Sequence, residues 1–147
     1  MSAAPGAFRQ GGRPSYGHLV LTLDEVAGLA ADLPETAEGV RHGNRVWSVR
    51  GKVFAWERPF TKADLRRFGD EEPPGGEILA VRVADLHEKE AVLAAHPREL
   101  FTIEHFADFA AVLVRLDQVS AAVLGETLTD GWLACAPPAL AERHRAG

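Results

Sequence analysis

The sequence predicts one small domain of mixed α and β structure, and three observations carry that reading. Arg45–Glu57 has the pattern of a β-hairpin. A strand, an acidic residue and a helix follow one another twice, at Leu79–Ala95 and again from Val112. Near each end of the chain lies an amphipathic helix with a capping residue in front of it.

The first helix is announced by Thr22-Leu23-Asp24-Glu25. The Thr22 hydroxyl can accept from the Glu25 N–H while the Glu25 side chain reaches back to the Thr22 N–H, a reciprocal cap. Leu23, Val26, Ala30 and Leu33 then share one helical stripe, and Pro34 stops the helix. A turn and a short strand near Val40 follow. The hairpin comes next, with Gly51-Lys52 read as a two-residue loop having glycine at its first central position. That register sets Trp47 opposite Trp56 and Val49 opposite Phe54 on one apolar face. Arg50 then faces Val53, Ser48 faces Ala55, and Val46 faces Glu57 on the other. Pro59 ends the second strand, because proline cannot donate to the ladder. Thr61–Phe68 reads as a short helix capped by Thr61, with Asp64 at its third position. Asp70–Gly76 is an acidic loop rich in proline and glycine.

In the second half, Leu79–Val83 is a strand and Asp85 caps a helix that runs to about Ala95. Phe101–Phe109 fits either a short strand or a loop. Val112–Leu116 is a strand, and Ser120 opens the last long helix. Ala121, Leu124, Leu128, Trp132 and Cys135 lie on one side of it. Pro137-Pro138 ends that helix, and Ala139–Arg143 is a short helical tail.

At 147 residues, with 46% hydrophobic and 25% charged residues, the chain suits a single folded domain. Residues 1–16 read as a flexible lead and 17–143 as the domain. A lone cysteine, Cys135, excludes an intrachain disulfide and fits a cytoplasmic setting. No stretch has the apolar length of a membrane span.

Net charge is −5, yet it is unevenly spread. Eight cations against two anions give +6 between Arg41 and Arg67. The remaining eight cations against nineteen anions give −11. Such a basic segment either contacts an anionic partner or balances acidic neighbours such as Asp70, Glu71 and Glu72.

No enzyme signature accompanies it. Gly-x-Ser-x-Gly, the P-loop and Gly-x-Gly-x-x-Gly are all missing. The six histidines are scattered without zinc spacing, so no metal, cofactor or catalytic residue is expected. Cys135 sits on an apolar stripe and reads as an inert buried thiol.

Four segments, taken in order, resemble the MmcQ/YjbR family. They are Leu33-Pro34-Glu35-Thr36, Val49–Ala55 with its glycine-lysine hairpin, Val112–Asp117, and Asp130-Gly131-Trp132 followed by Ala136–Leu140. The resemblance implies an α+β fold of the CyaY-like, double-wing type. Its five-stranded antiparallel sheet carries helices on one face, in the order α-β-β-β-α-β-β-α. It also implies a non-enzymatic DNA-binding protein in which the hairpin is a wing, with Thr61–Phe68 as an insertion. Arg45, Arg50, Lys52, Arg58, Lys62 and Arg66 are then the candidate phosphate contacts, with little sequence specificity. Replacing Arg50 and Lys52 by glutamate is expected to abolish binding. The opposite sheet face, with Ser48, Arg82 and Arg115, is a candidate surface for a protein partner or a second copy of the chain.

Overall fold

A computed structural model of the chain describes residues 20–146. The expected lead at 1–16 lies outside them. Helix α1 spans Leu23–Ala31, and the reciprocal Thr22–Glu25 cap forms as read. Strands β1 (Thr36–Arg41), β2 (Asn44–Val49) and β3 (Lys52–Glu57) make a meander. Helix α2 (Lys62–Phe68) follows, with Thr61 and Asp64 in a second capping box. Then come β4 (Ile78–Arg82), α3 (Leu86–Ala95), β5 (Leu100–Phe101), a 3-10 turn at Glu104–Phe106, β6 (Ala111–Arg115), α4 (Ala121–Cys135) and α5 (Pro138–Ala146).

All strand pairs are antiparallel, in the order β1-β2-β3-β4-β6-β5. The sheet has six strands rather than the expected five. The extra one is β5, whose two residues are too few to show a period of two in a sequence. The helices are also not all on one face, because α2 lies over the opposite side with the 3-10 turn.

The hairpin forms, but one residue out of the expected register. Its loop is Arg50-Gly51, with φ of 50° and 85°, a type I′ turn whose twist suits the flanking strands. Val49 therefore faces Lys52, and Ser48 faces Val53. A bulge then brings Trp47 opposite Ala55 and Val46 opposite Trp56. The bulge lets Phe54 and Ala55 both enter the core while Trp56 turns to the other face. Trp47 stays in the core, as expected, but Trp56 does not.

The main core lies between one sheet face and α1, α3 and α4. Trp47, Val49, Phe54, Leu79, Val81, Val112 and Val114 come from the sheet, and Val26, Leu128 and Trp132 from the helices. Gly131 sets the closeness of this packing. A Cβ there would lie 2.6 Å from Val81 Cγ1 and 3.0 Å from the Arg82 carbonyl oxygen. Trp132 is fully buried, and its Nε1 donates to the Pro34 carbonyl at 2.9 Å.

A second, smaller cluster covers half of the other face. Ile78, Ala80, Ala111 and Leu113 of the sheet meet Phe106, with Phe60, Phe101 and Trp56 against them. Buried Lys89 of α3 ties the covering loop down, its Nζ donating to the carbonyls of Phe106 at 2.5 Å and Phe109 at 2.9 Å. Burial pushes the Lys89 ammonium below its ordinary pKa, with Asp108 opposing.

Candidate functional site

The basic segment meets carboxylates before it meets solvent. At the hairpin tip Arg50 forms a two-pronged pair with Glu35, which itself has a positive φ of 57°. The Arg50 guanidinium holds the Glu35 carboxyl below its usual value. At the hairpin base Arg45 bonds Glu38 and Asp24, both at 2.8 Å. Arg58 lies 3.0 Å from Asp64, and Arg67 reaches both Asp64 and Glu104. Neutralisation is therefore real, but it comes from Asp24, Glu35, Glu38, Asp64 and Glu104 rather than from Asp70–Glu72.

Asp64 is the most buried of these carboxylates. Burial raises its pKa, but the Thr61 N–H and the Arg58 guanidinium outweigh that and leave it below the ordinary value. Among the described residues, Arg41, Lys52, Lys62 and Arg66 of the basic segment have no carboxylate within ion-pair distance, and neither has Arg82. Lys52, Lys62 and Arg66 are exposed. Arg82 donates from Nε to the Ala110 carbonyl and stacks 5.2 Å above the Phe109 ring.

Two of these unpaired arginines converge. The uncovered half of the second sheet face holds an open cavity of about 460 Å³, lined by Arg41, His42, Asn44, Val46, Val53, Trp56, Glu57, Arg58, Arg82 and Phe109. That volume lies within the ~300–1,000 Å³ range of small-molecule sites. Its aromatic wall is continuous, with the Trp56 and Phe109 rings 6.3 Å apart and each also against Phe106. Phe109 is 41% exposed, unusual for phenylalanine. Glu57 is the one carboxylate on the wall, and its Oε1 accepts from the Arg45 backbone N–H at 3.1 Å.

The candidate residues therefore separate. Arg58 and Arg82 line the cavity, whereas Arg45 and Arg50 are held in ion pairs elsewhere. Ser48 is half-buried on the same sheet face but outside the cavity. Arg115 lies beside Asp117 at the covered end of that face, 3.7 Å away. Arg41, Trp56 and Phe109 join them in the cavity: the expected register assigns Trp56 to the core rather than to base stacking, and Phe109 and Arg41 carry no site expectation. The one-residue register change that exposes Trp56 has no signature in composition, and Phe109 belongs to a segment without periodicity.

Among the described residues no group of three or more His, Cys, Asp and Glu side chains comes together to hold a metal. Burial pushes the Cys135 thiol above its ordinary pKa. No helix among them is long and apolar enough to cross a membrane.

The comparisons with known proteins agree with this fold. The chain is 44% identical over 124 residues to the uncharacterized protein Rv2570 of Mycobacterium tuberculosis, which covers 82% of this chain and 93% of that one. The uncharacterized protein Mb2600 of Mycobacterium bovis matches equally well. Among solved structures, Deinococcus radiodurans protein DR2400, a DUF419 domain, superposes with a TM-score of 0.55 over 78% of each chain. At 22% identity it supports the fold alone. The YjbR family model matches residues 31–134, from the end of α1 nearly to the end of α4. Over that span lie the Pro34 turn, the hairpin, the β4–β6 pair and the Gly131-Trp132 contact, and on that match the chain belongs to the YjbR family.

Proposed function

We propose that this chain is a non-catalytic nucleic-acid-binding domain that grips a single strand on the open half of its second sheet face. The observation that supports this reading is the meeting of Arg41 and Arg82, which have no carboxylate partner among the described residues, with Trp56 and Phe109 in one cavity. Single strands are held by such pairings of cations with aromatic faces, because phosphates need charge and every base has a π-face. A duplex hides its bases and would meet mainly the hairpin tip, where Arg50 already serves Glu35.

The test is titration of labelled single-stranded and duplex DNA at two salt concentrations. Single strands bind more tightly. With three arginines at phosphates, affinity drops about 20-fold between 50 and 200 mM salt, at roughly 0.7 counterions per contact. Arg41→Glu with Arg82→Glu removes binding, and Arg50→Glu leaves it intact. Preference for duplex, or loss of binding with Arg50→Glu alone, returns the contact to the wing and refutes the proposal.

A second reading has its own observation. Strand β1 is a sheet edge, five of its six residues are exposed, and Val40 is 69% exposed. An unpaired edge of this kind accepts another strand. If a second copy pairs there, sedimentation shows a dimer that Val40→Lys dissociates.

A further inference from the structure

We infer that the cavity is built for one internal nucleotide of a strand, with its base on Trp56 and a phosphate at each end. This deepens the single-strand reading and rests on it. The argument comes from strand register. Trp56 of β3 lies opposite Val46 of β2 and Ala80 of β4, and Val46 in turn lies opposite Gly39 of β1. These four positions form one row across the sheet.

Arg58 and Arg41 are each two residues beyond that row in the same direction, because β1 and β3 run parallel to each other across the antiparallel β2. Arg82 is two residues beyond Ala80, and β4 runs the other way, so it lies at the opposite end. Two residues of strand advance about 7 Å, so the arginines flank Trp56 at roughly 7 Å on either side along the strand axis, before side-chain reach. All four side chains line the cavity.

A mononucleotide with a single phosphate uses one end of this arrangement. A nucleotide inside a chain, with phosphates on its 3′ and 5′ sides, uses both. Arg58 shares its charge with Asp64, so Arg41 supplies the free charge at its end. Arg82 is fixed from behind by the Ala110 carbonyl and the Phe109 ring, which orients its guanidinium without neutralising it. The remaining wall fits the same occupant. Phe109 presents a ring edge to a base on Trp56, and the polar groups of Asn44 and His42 lie at the Arg41 end.

The experiment is a tryptophan-fluorescence titration of the full chain with adenosine, adenosine 5′-monophosphate and adenosine 3′,5′-bisphosphate. Trp47 and Trp132 are buried, so a ligand-dependent quench reports Trp56. The bisphosphate binds at least tenfold more tightly than the monophosphate, and adenosine binds weakest. Arg82→Met and Arg41→Met each bring the bisphosphate down to the affinity of the monophosphate. Both positions are outside the main core, so these variants keep the fold, and Trp56→Leu serves as the third probe by abolishing the quench.

Equal affinity for the two phosphates overturns the inference, as does an undiminished quench in Trp56→Leu. A dodecamer of deoxyadenosine that binds without being displaced by the bisphosphate overturns the nucleotide pocket and leaves the single-strand reading standing. Bisphosphate binding without dodecamer binding keeps the pocket and defeats the single-strand reading.

Discussion

Trp132 and Trp56 stand on opposite faces of the same sheet. The first projects from α4 into the main core, with its Nε1 donating to the Pro34 carbonyl and its neighbour Gly131 against Val81. The second is half-buried beside Phe106 and Phe109, with arginines around it. Both faces begin from strands with alternating apolar residues. The difference lies in what covers them. Helices α1, α3, α4 and α5 seal the part of the first face that holds the main core, leaving only the β1 edge exposed. On the second, α2 and the 3-10 turn cover only the β4–β6–β5 half and leave the β1–β2–β3 half open. The uncovered half, aromatic and cationic, is where the proposed strand would lie.

That contrast can be broken by substitution. Trp132→Ala is the severest case, expected to cost about 3–5 kcal/mol in urea unfolding because it opens a large cavity and strands the Pro34 carbonyl. Trp56→Ala, at a half-buried site, should cost clearly less. Equal losses would mean that the two faces are equally sealed. Gly131→Ala follows at about 1–3 kcal/mol, since its methyl must displace Val81 or the sheet backbone.

Removing the charged contact on the second face is milder and depends on pH. Asp64→Asn should cost about 1.5–3 kcal/mol at neutral pH, the worth of hydrogen bonds to a charged group. The folded state holds this carboxyl below its ordinary pKa, so as pH falls the unfolded chain takes up the proton first. The contribution of Asp64 is thus complete at pH 7 and fades below about pH 4. Unfolding midpoints of wild type and Asp64→Asn should converge as pH is lowered from 7 to 3. A constant gap would place the effect in packing rather than charge.

The smallest effect belongs to the hairpin tip. Arg50→Asn loses the solvent-exposed pair with Glu35 but gains a residue better suited to the positive φ of a type I′ turn, so the unfolding midpoint should not move measurably. Iodide quenching sharpens the comparison without mutation, because Trp56 should be accessible to it and Trp47 and Trp132 should not.

Much of the fold is legible in the chain. The caps at Thr22, Thr61, Asp85 and Ser120 all form, since a hydroxyl or carboxylate one position before a helix answers local N–H groups and needs nothing distant. The two five-residue apolar strands are equally plain. The candidate site is less so. Arg58 and Arg82 were recognisable as cations on useful elements, but the ion pairs that hold Arg45 and Arg50 depend on Asp24, Glu38 and Glu35, whose approach follows from the packing of α1 and β1 rather than from any local pattern. Lys89 sits between two glutamates and reads as a surface residue, yet it is buried because the loop at Phe106–Phe109 closes over it.

The sequence by itself determined most of the local structure: the four capped helices, the hairpin, the β4 and β6 strands to within a residue, and that one segment is rich in positive charge. These follow from periodicity, capping and composition, which act over a few residues. Only the tertiary structure decided the hairpin register, the fate of each tryptophan and which cations keep their charge unshared. Those outcomes turn on a bulge placed to fill the core with Phe54 and on carboxylates brought in from other elements, and both are settled by packing between segments distant in the chain.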